Sequence, residues 1–496
     1  MLKFFKKQNN NQDESISTIE EKHGNKQIVQ LTYFFAAIFV FLIIYIMVLV
    51  YKDSDEIINN SYNKREALYA AKTVRGTITT KDGEVLAYSD NSTGEEKRIY
   101  PYGRLFAHVV GYNTNGKAGV ESLANFRLLT SNELFTEKIQ NDLYGIKNPG
   151  DTVVTSLDLN VQYAAYQALG DRNGAIVVMD AYNGYILAMV SKPDFDPNEI
   201  NTAWDYMTSD SKNTMLLNRA VQGLYPPGST FKILTALEYL KENEDTEKYT
   251  FDCSGSFEYK GTKINCYHGI AHGDMNFDTS FAKSCNSSFA NMTSELNKNK
   301  FKQLCEDMLF NDEIPSPLII NKRSSMQVKN SYVPINSKSS VDELLQTGIG
   351  QGKTEITPYH MCLISSAIAN DGVLMNPILV EEIETSKGEH ISSVSVKPYK
   401  RLISSNDSAK VKKLMHEVVT DGTATCLNNT KGYTVYGKTG SAEFNSNKKE
   451  SHAWFTGFTE GENGSSLAIS VIVENGGSGG QVAAPIARTI FDAYYN

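Results

Sequence analysis

The longest apolar stretch of the chain lies near its N-terminus and carries no charge from Leu31 to Tyr51. In a helix, which rises about 1.5 Å per residue, this stretch matches the apolar thickness of a lipid bilayer. A cleaved signal peptide is the alternative, but the stretch is longer than a signal core and no small-residue cleavage site follows it. A buried core helix is also disfavoured, because such a helix would show a polar face, which this stretch lacks. We therefore predict one transmembrane helix at residues 28–51.

The charges before this helix predict its orientation. Residues 1–27 form a polar tail with five lysines, Lys3, Lys6, Lys7, Lys22 and Lys26. Because Lys and Arg are enriched on the cytoplasmic side of transmembrane helices, the tail is expected in the cytoplasm. No second apolar stretch of this length follows. The sequence thus predicts a single-pass membrane protein whose remaining residues lie outside the membrane.

Beyond the apolar stretch the pattern changes to a helical stalk and then to short β-like runs. Residues 52–72 are predicted as the stalk, and the runs over residues 74–150 are separated by turn signals such as Lys81-Asp82-Gly83. We predict that residues 52–150 form the stalk and a β-rich N-terminal module.

The remaining residues, 151–496, combine strand and helix patterns. Two apolar runs flank Asn183-Gly184, which is typical of a β-hairpin, and a strand-like run returns at residues 468–473 after several helical stretches. This order predicts an α+β domain in which strands from both ends share an antiparallel sheet flanked by helices. Of the 496 residues 41% are hydrophobic, enough for real cores, and the net charge of −9 argues against a nucleic-acid-binding protein.

The clearest chemical feature is Pro226-Pro227-Gly228-Ser229-Thr230-Phe231-Lys232. The prolines and glycine end the preceding element, so Ser229 is expected at a helix N-terminus with Lys232 one turn later on the same face. A serine becomes a good nucleophile when a base takes its proton, and a lysine with a lowered pKa is such a base. Four further Ser-x-x-Lys segments lack this turn-to-helix setting and are interpreted as surface, beginning at Ser61, Ser209, Ser280 and Ser446.

Two more motifs follow in order along the chain. Ser284-Cys285-Asn286 offers a hydroxyl and an amide, whereas Lys438-Thr439-Gly440 offers a cation and a hydroxyl that suit a carboxylate. The glycine lets a substrate approach the backbone closely. This ordered set resembles the class B penicillin-binding proteins, which are monofunctional peptidoglycan D,D-transpeptidases. The resemblance covers residues 75–495 and includes Arg75-Gly76-Thr77-Ile78, Gly119-Val120-Glu121, Asn218-Arg219-Ala220, Gly348-Ile349-Gly350-Gln351-Gly352, His452-Ala453-Trp454-Phe455 and Glu474-Asn475-Gly476.

The resemblance implies a fold, a reaction and a role for each motif residue. The fold would be a serine β-lactamase/transpeptidase-like domain over residues 151–496, following the transmembrane helix and the N-terminal module. Ser229 would be acylated with Lys232 as base, Ser284 would help to pass the proton, and the backbone N–H groups of Ser229 and Ser441 would form an oxyanion hole. The implied substrate-binding residues are Asn286, Lys438, Thr439, Gly440 and Ser441. Stem peptides would be cross-linked through this acyl-enzyme without a cofactor, and β-lactams would leave a stable ester on Ser229.

The cysteines raise a separate question. Cys253, Cys266 and Cys285 recur near His268 and His272. Buried free or disulfide-paired thiols are favoured outside the membrane. A structural zinc site formed by Cys253, Cys266, His272 and Cys285 is chemically allowed and would hold the loop before Ser284, although its gaps match no short-spaced zinc finger. The other cysteines are predicted to be core residues, namely Cys305, Cys362 and Cys426.

Other functions remain open at this point. A D,D-carboxypeptidase or a β-lactamase-type hydrolase would pass the acyl group to water, and a penicillin-binding sensor or scaffold would not turn over. The predicted membrane anchor and N-terminal module favour the transpeptidase, and the intact motifs disfavour the sensor. Besides stem peptides and β-lactams, the resemblance implies a membrane glycosyltransferase that polymerises glycan strands as the partner of the N-terminal module, at a bacterial cell membrane.

Overall fold

The computed structural model describes residues 26–49, 65–92, 94–243, 245–319, 322–323, 326–445 and 450–496. The chain divides into two compact units, Met1–Leu68 and Tyr69–Asn496. In the first unit, helix α1 (Lys26–Leu49) is long and apolar enough to cross a membrane, and none of its most apolar window is buried by protein. This fits the predicted single-pass anchor. The end of the predicted span, the tail up to residue 25 and most of the predicted stalk lie outside the described residues.

Sixteen further α-helices and twenty-one strands follow among the described residues. The helices are α2 (Arg65–Lys72), α3 (Ala107–Val110), α4 (Gly119–Leu123), α5 (Asn125–Leu128), α6 (Phe135–Tyr144), α7 (Leu159–Leu169), α8 (Ile200–Ser209), α9 (Arg219–Gln222), α10 (Lys232–Glu242), α11 (Phe277–Ala282), α12 (Asn286–Glu295), α13 (Lys298–Asp307), α14 (Val341–Gly348), α15 (Pro358–Ala369), α16 (Ser405–Thr420) and α17 (Ala484–Tyr495). The strands are β1 (Thr73–Val74), β2 (Ile78–Thr80), β3 (Val85–Asp90), β4 (Lys97–Ile99), β5 (Asn148–Pro149), β6 (Thr152–Thr155), β7 (Gly174–Asp180), β8 (Ile186–Lys192), β9 (Thr250–Cys253), β10 (Ser256–Tyr259), β11 (Thr262–Asn265), β12 (Gly273–Asn276), β13 (Leu318–Ile319), β14 (Lys322–Arg323), β15 (Val373–Met375), β16 (Ile378–Glu384), β17 (His390–Ser393), β18 (Pro398–Arg401), β19 (Tyr433–Asn445), β20 (Glu450–Gly461) and β21 (Leu467–Val473).

A five-stranded antiparallel sheet forms the centre of the second unit, in the order β19-β20-β21-β7-β8. The predicted hairpin around Asn183-Gly184 is β7-β8, and the predicted C-terminal strand, β21, pairs with β7 along its whole length. The α+β prediction with terminal strands in one sheet is therefore confirmed. Its cause is visible in the sequence, because these three strands are almost continuously apolar and buried.

Helices cover this sheet. Helix α15 packs on β20, β21 and β7, and α17 packs on β20 and β21, whereas α7 packs on β7 and β8 and against α17. Thr357 starts α15 by accepting a hydrogen bond from the His360 backbone N–H, and Pro358 occupies the first turn, where its missing N–H costs nothing. Every residue of α15 is buried, which places this helix inside the core of the unit.

A second sheet joins strands from both sides of the predicted domain boundary at residues 150 and 151. Strand β2 pairs in parallel with β6, which itself pairs with β16. Close by, Glu121 is fully buried and accepts hydrogen bonds from Arg75 (2.6 Å) and Arg98 (2.7 Å). Burial opposes ionisation, but the two guanidinium groups lower the pKa of Glu121 overall. The division of residues 52–496 at 150 remains a prediction.

Candidate active site

Ser229 lies where the sequence pattern places it, in a 3-10 turn (Gly228–Phe231) that leads directly into α10. Gly228 has a φ of +54°, a backbone conformation that glycine adopts without strain. Its N–H donates to the Gly350 carbonyl at 2.8 Å, and a Cβ on Gly350 would lie 2.0 Å from the Gly228 oxygen. The two glycines therefore allow a backbone contact that holds the serine turn in place.

Side chains brace the same turn. The Thr230 hydroxyl donates to the Pro227 carbonyl at 2.8 Å, and the indole N–H of Trp454 donates to the Pro226 carbonyl at 3.0 Å. Trp454 is fully buried on β20. A Cβ on Gly440 would lie 3.0 Å from the Pro227 carbonyl oxygen, so β19 also approaches the turn. Ser229 is thus held between α10 and β19.

Lys232 is fully buried at the start of α10. Its ammonium donates to the Ser284 carbonyl (2.7 Å) and to Asn286 Oδ1 (2.7 Å), and it lies 3.4 Å from Ser284 Oγ. Burial lowers the pKa of Lys232 to about 8, against a smaller opposing effect of Cys285 and Cys266. A lysine with such a pKa is neutral in roughly a tenth of molecules at pH 7, and the neutral form can accept a proton.

Ser284 connects this lysine to the second one. Its hydroxyl accepts a hydrogen bond from Lys438 Nζ at 2.8 Å. Ser284 has a φ of +61° in the connection between α11 and α12, which is rare for a residue other than glycine and is typical of functional sites. The neighbouring Cys285 caps α12, because its sulfur accepts from the Ser288 N–H at 3.3 Å. Cysteine therefore performs a capping function at the central position of this triplet.

Lys438 and Thr439 lie on β19 and both are buried. Burial, with a contribution from the charge of Lys232, lowers the pKa of Lys438 well below its ordinary value. The Thr439 and Thr423 hydroxyls lie 2.5 Å apart, and Ser441 Oγ accepts from the Gly479 N–H at 3.2 Å. These hydroxyls lie beside the Lys438 side chain, a combination that suits a carboxylate when the lysine is protonated.

The structure brings all of the predicted site residues to one region. Lys232, Ser284 and Lys438 are connected by hydrogen bonds, and Asn286 joins them while its Nδ2 donates to the Asn265 carbonyl at 3.0 Å. The amide of Asn286 is therefore held in a fixed orientation. Ser229 and the residues 439–441 border the same region through the contacts of the serine turn with β19.

Sequence reasoning assigned no role to four residues of this region. Thr423 follows α16, and its hydroxyl contacts that of Thr439. The one local signal near it in the sequence is the preceding Gly422, which indicates a turn but not a functional residue. Arg219 pairs with Glu474 at 2.8 Å, and the Tyr225 hydroxyl donates to the same carboxylate at 2.7 Å, just before the Ser229 turn. The resemblance contained Arg219 and Glu474 as separate segments. Their pairing over 255 positions is a tertiary contact that no local pattern contains.

Two surface and core assignments from the sequence are wrong. Ser280 was expected at the surface, yet it is fully buried in α11 and accepts a hydrogen bond from Ser288 at 2.7 Å. Cys426 was expected in the core, yet it is exposed in a short turn, whereas Cys305 and Cys362 are buried as predicted. Both errors arise because the tertiary packing, rather than local polarity, decides which face is covered.

Four side chains of the cysteine and histidine group converge beneath α12. The sulfur atoms of Cys253, Cys266 and Cys285 lie 3.4, 3.6 and 3.7 Å apart, and His272 Nδ1 lies 3.4 Å from Cys253. All four ligand atoms lie within 4.8 Å of one another. No disulfide links the six cysteines, all of which lie in the described residues. His268 does not join the group.

Comparison with protein-family models matches two parts of the chain. Residues 174–492 match the penicillin binding protein transpeptidase domain. Residues 75–153 match the penicillin binding protein A dimerisation domain. The first match contains Ser229, Lys232, the Ser284 triplet and the Lys438 triplet.

Individual relatives and solved structures agree with these matches. The peptidoglycan D,D-transpeptidase PbpA of Mycolicibacterium smegmatis is 30% identical over 87% of this chain and 91% of its own. The peptidoglycan D,D-transpeptidase MrdA of Acinetobacter baumannii is 29% identical over 80% of this chain and 65% of its own. The ceftriaxone acyl-enzyme complex of penicillin-binding protein A from Mycobacterium tuberculosis superposes with a TM-score of 0.77 at 27% identity, covering 87% of this chain and all of the other.

Proposed function

Because the chain belongs to the penicillin-binding protein transpeptidase family, we propose that Ser229 is the nucleophile with which it cross-links peptidoglycan stem peptides. The observation that supports this role most directly is the hydrogen-bonded line from Lys232 through Ser284 to Lys438 beside the Ser229 turn. A serine next to a buried lysine of lowered pKa is an activated nucleophile. Replacement of Ser229 by alanine tests the covalent step.

The acylation step follows from this arrangement. Lys232 takes the proton of the Ser229 hydroxyl while the Ser229 oxygen attacks the carbonyl carbon of the penultimate D-Ala. The backbone N–H groups of Ser229 and Ser441 stabilise the resulting oxyanion. The bond to the terminal D-Ala nitrogen breaks, and that nitrogen receives a proton through Ser284 and Lys438. The acyl group is left as an ester on Ser229.

Substrate binding and the second half-reaction use the remaining groups. Lys438, Thr439 and Ser441 hold the terminal carboxylate, and Asn286 holds an amide of the stem peptide. An amine from a neighbouring stem peptide then attacks the ester, takes over the acyl group and returns the proton to Ser229. A β-lactam reacts in the same first step, but its opened ring stays attached, so the ester persists. A hydrolase of the same fold would use water in place of the amine.

The acylation rate should depend on pH through Lys232. The pKa of this lysine is lowered to about 8, so the fraction of neutral, proton-accepting lysine increases as the pH rises through that value. We expect the rate of penicillin acylation to increase about tenfold between pH 7 and pH 9 and to level off above that. Stopped-time labelling with a fluorescent penicillin measures this rate, with circular dichroism as the control for folding. A flat or falling profile would contradict the assignment.

We also propose that Cys253, Cys266, His272 and Cys285 hold a structural zinc ion. In a tetrahedral site with Zn–S bonds of about 2.3 Å, sulfur atoms lie roughly 3.8 Å apart, close to the 3.4 to 3.7 Å between these three. Three cysteines and one histidine are an ordinary zinc ligand set. Three thiols also cannot all pair as disulfides with one another. The ion would supply no chemistry to the reaction; its ligands would hold the strands β9 and β11 against the start of α12.

The zinc proposal predicts about one zinc per chain in protein purified without chelators. Of the four proposed ligands, Cys253 is the most distant from Ser284 in sequence. We expect Cys253→Ser to abolish zinc binding and to lower the melting temperature by several degrees. Cys426→Ser is the matched control, because this exposed cysteine lies outside the group, and it should leave both quantities unchanged. Elemental analysis and thermal denaturation measure them. Parent protein without zinc, with a disulfide found by thiol titration, would refute the site.

We propose further that α1 anchors the protein with its N-terminus in the cytoplasm. The support is the apolar length of α1 and the lysines before it, which follow the distribution of positive charge around membrane spans. With this orientation the site faces the cell wall, where stem peptides are found. A cysteine placed in the tail that reacts with an impermeant thiol reagent in intact cells would contradict this topology.

The N-terminal module is proposed to bind a membrane glycosyltransferase that polymerises glycan strands. Its support is the family resemblance, together with six exposed apolar residues on and beside α6, Leu134, Phe135, Ile139, Leu143, Tyr144 and Ile146. Exposed apolar groups of this extent are typical of interaction surfaces. Loss of co-purification with a glycosyltransferase should follow replacement of Phe135 and Leu143 by serine; unchanged co-purification would argue against this surface.

A further inference from the structure

A cleft of about 560 Å³ lies apart from the catalytic residues, between the turn at residues 102–105 and one face of α7. Its volume is within the range of roughly 300–1,000 Å³ that is usual for small-molecule sites. Helix α7 packs on β8, at the opposite end of the five-stranded sheet from β19. Four strand spacings of about 4.8 Å separate those two strands, or roughly 19 Å. The cleft is therefore a separate site.

Three tyrosine rings line the cleft. Tyr102 is oriented by a hydrogen bond from its hydroxyl to Glu84 at 2.6 Å and by an edge contact with Phe106. Tyr166 is held by the Lys192 ammonium, 3.5 Å from its ring centroid. Tyr163 lies one turn before Gln167 on α7 and is 55% exposed. Two rings are thus fixed by the protein, and the third offers an open aromatic surface.

Two charged residues, Arg104 and Asp196, are among those that line the cleft. Arg104 is paired with Asp194 at 3.1 Å, and Asp196 accepts hydrogen bonds from the backbone and side-chain N–H groups of Asn198 at 2.9 Å. The other polar lining groups are the amides of Asn160 and Gln167. Because Arg104, the cation among the described lining residues, is already paired, an anionic ligand finds no free positive charge there, whereas the Asp196 carboxylate can accept hydrogen bonds from hydroxyl groups. These groups instead suit a neutral ligand that has many hydroxyl and amide groups.

We propose that this cleft binds the glycan strand of peptidoglycan, through its N-acetylated sugar rings. Pyranose rings present apolar C–H faces that stack on aromatic side chains and a rim of hydroxyl and acetamido groups that bind amides. Tyrosine faces with Asn and Gln between them match both properties. The inference rests on the proposed function to the extent that peptidoglycan is the substrate. The cleft would hold a strand while its stem peptide occupies the catalytic region.

The test uses the full chain in detergent micelles and a peptide-free probe, a hexamer of β-1,4-linked N-acetylglucosamine. We expect the parent to bind the hexamer by calorimetry, and Tyr163→Ala to weaken binding about tenfold or more, because one stacking face is lost. Tyr163→Phe keeps the ring and should retain most of the affinity. Tyr206→Ala, which removes another exposed tyrosine on α8, should bind as the parent does.

Covalent penicillin labelling of each variant separates this inference from the proposed function. Labelling should be unchanged in Tyr163→Ala, which also shows that the variant is folded. If the parent binds the hexamer but is not labelled by penicillin, the catalytic proposal is refuted and the glycan site is not. Absence of hexamer binding in the parent, equal binding by Tyr163→Ala, or binding of a free stem peptide in this cleft instead would overturn the glycan site.

Discussion

Ser229→Ala abolishes covalent labelling of the protein by a fluorescent penicillin, the largest effect expected of any single substitution. We expect the ester to form on the oxygen at this position, since the serine turn is held in place by Gly350, Trp454 and β19. Removal of the nucleophile in serine enzymes costs up to about 10⁶-fold in rate, so the signal should fall below detection. Gel fluorescence after incubation with the labelled drug measures it.

Ser209→Ala is the matched control for this experiment. Ser209 also begins a Ser-x-x-Lys segment, but it is exposed at the end of α8 and no turn precedes it. Its substitution should leave labelling at the level of the parent. Persistent labelling of a folded Ser229→Ala protein would place the nucleophile elsewhere, and no labelling of the folded parent would favour the scaffold alternative.

Substitution of Lys232 should have the second largest effect. Lys232→Met has similar length and needs no charge in the fully buried position, but it cannot accept a proton, so we expect acylation to slow by about 10²- to 10⁴-fold. Lys232→Arg should be slowed similarly, because a guanidinium with a pKa above about 12 stays protonated. The arginine variant thus separates a base from a positive charge. Time courses of penicillin labelling give both rates.

The exposed Lys212 provides the control for Lys232. Lys212 is the lysine of the Ser-x-x-Lys segment that begins at Ser209. Lys212→Met therefore makes the same substitution in the same type of segment, but on the surface and away from the catalytic residues. Its labelling rate should equal that of the parent. A folded Lys232→Arg protein that labels at the parental rate would show that Lys232 acts through its charge and that another group removes the proton.

The sequence determined those features that depend on local order. The apolar run of α1, the turn before Ser229 and the strand character of β7, β8 and β21 are properties of neighbouring residues, because periodicity and turn chemistry act over a few positions. The identity of the chemical groups also followed from the motifs. A hydroxyl, an amide and two lysines in that order resemble one enzyme family, and the family match agrees with it.

Only the tertiary structure decided how those groups meet. The contact of Lys438 with Ser284 joins residues 154 positions apart, and Thr423 enters the region without any motif of its own. The same applies to the burial of Ser280, the exposure of Cys426 and the convergence of three cysteines with His272 rather than His268. Burial and pKa depend on what packs around a side chain, and those neighbours come from distant parts of the chain. Local pattern therefore predicts which groups are available, while packing sets their distances, charge and reactivity.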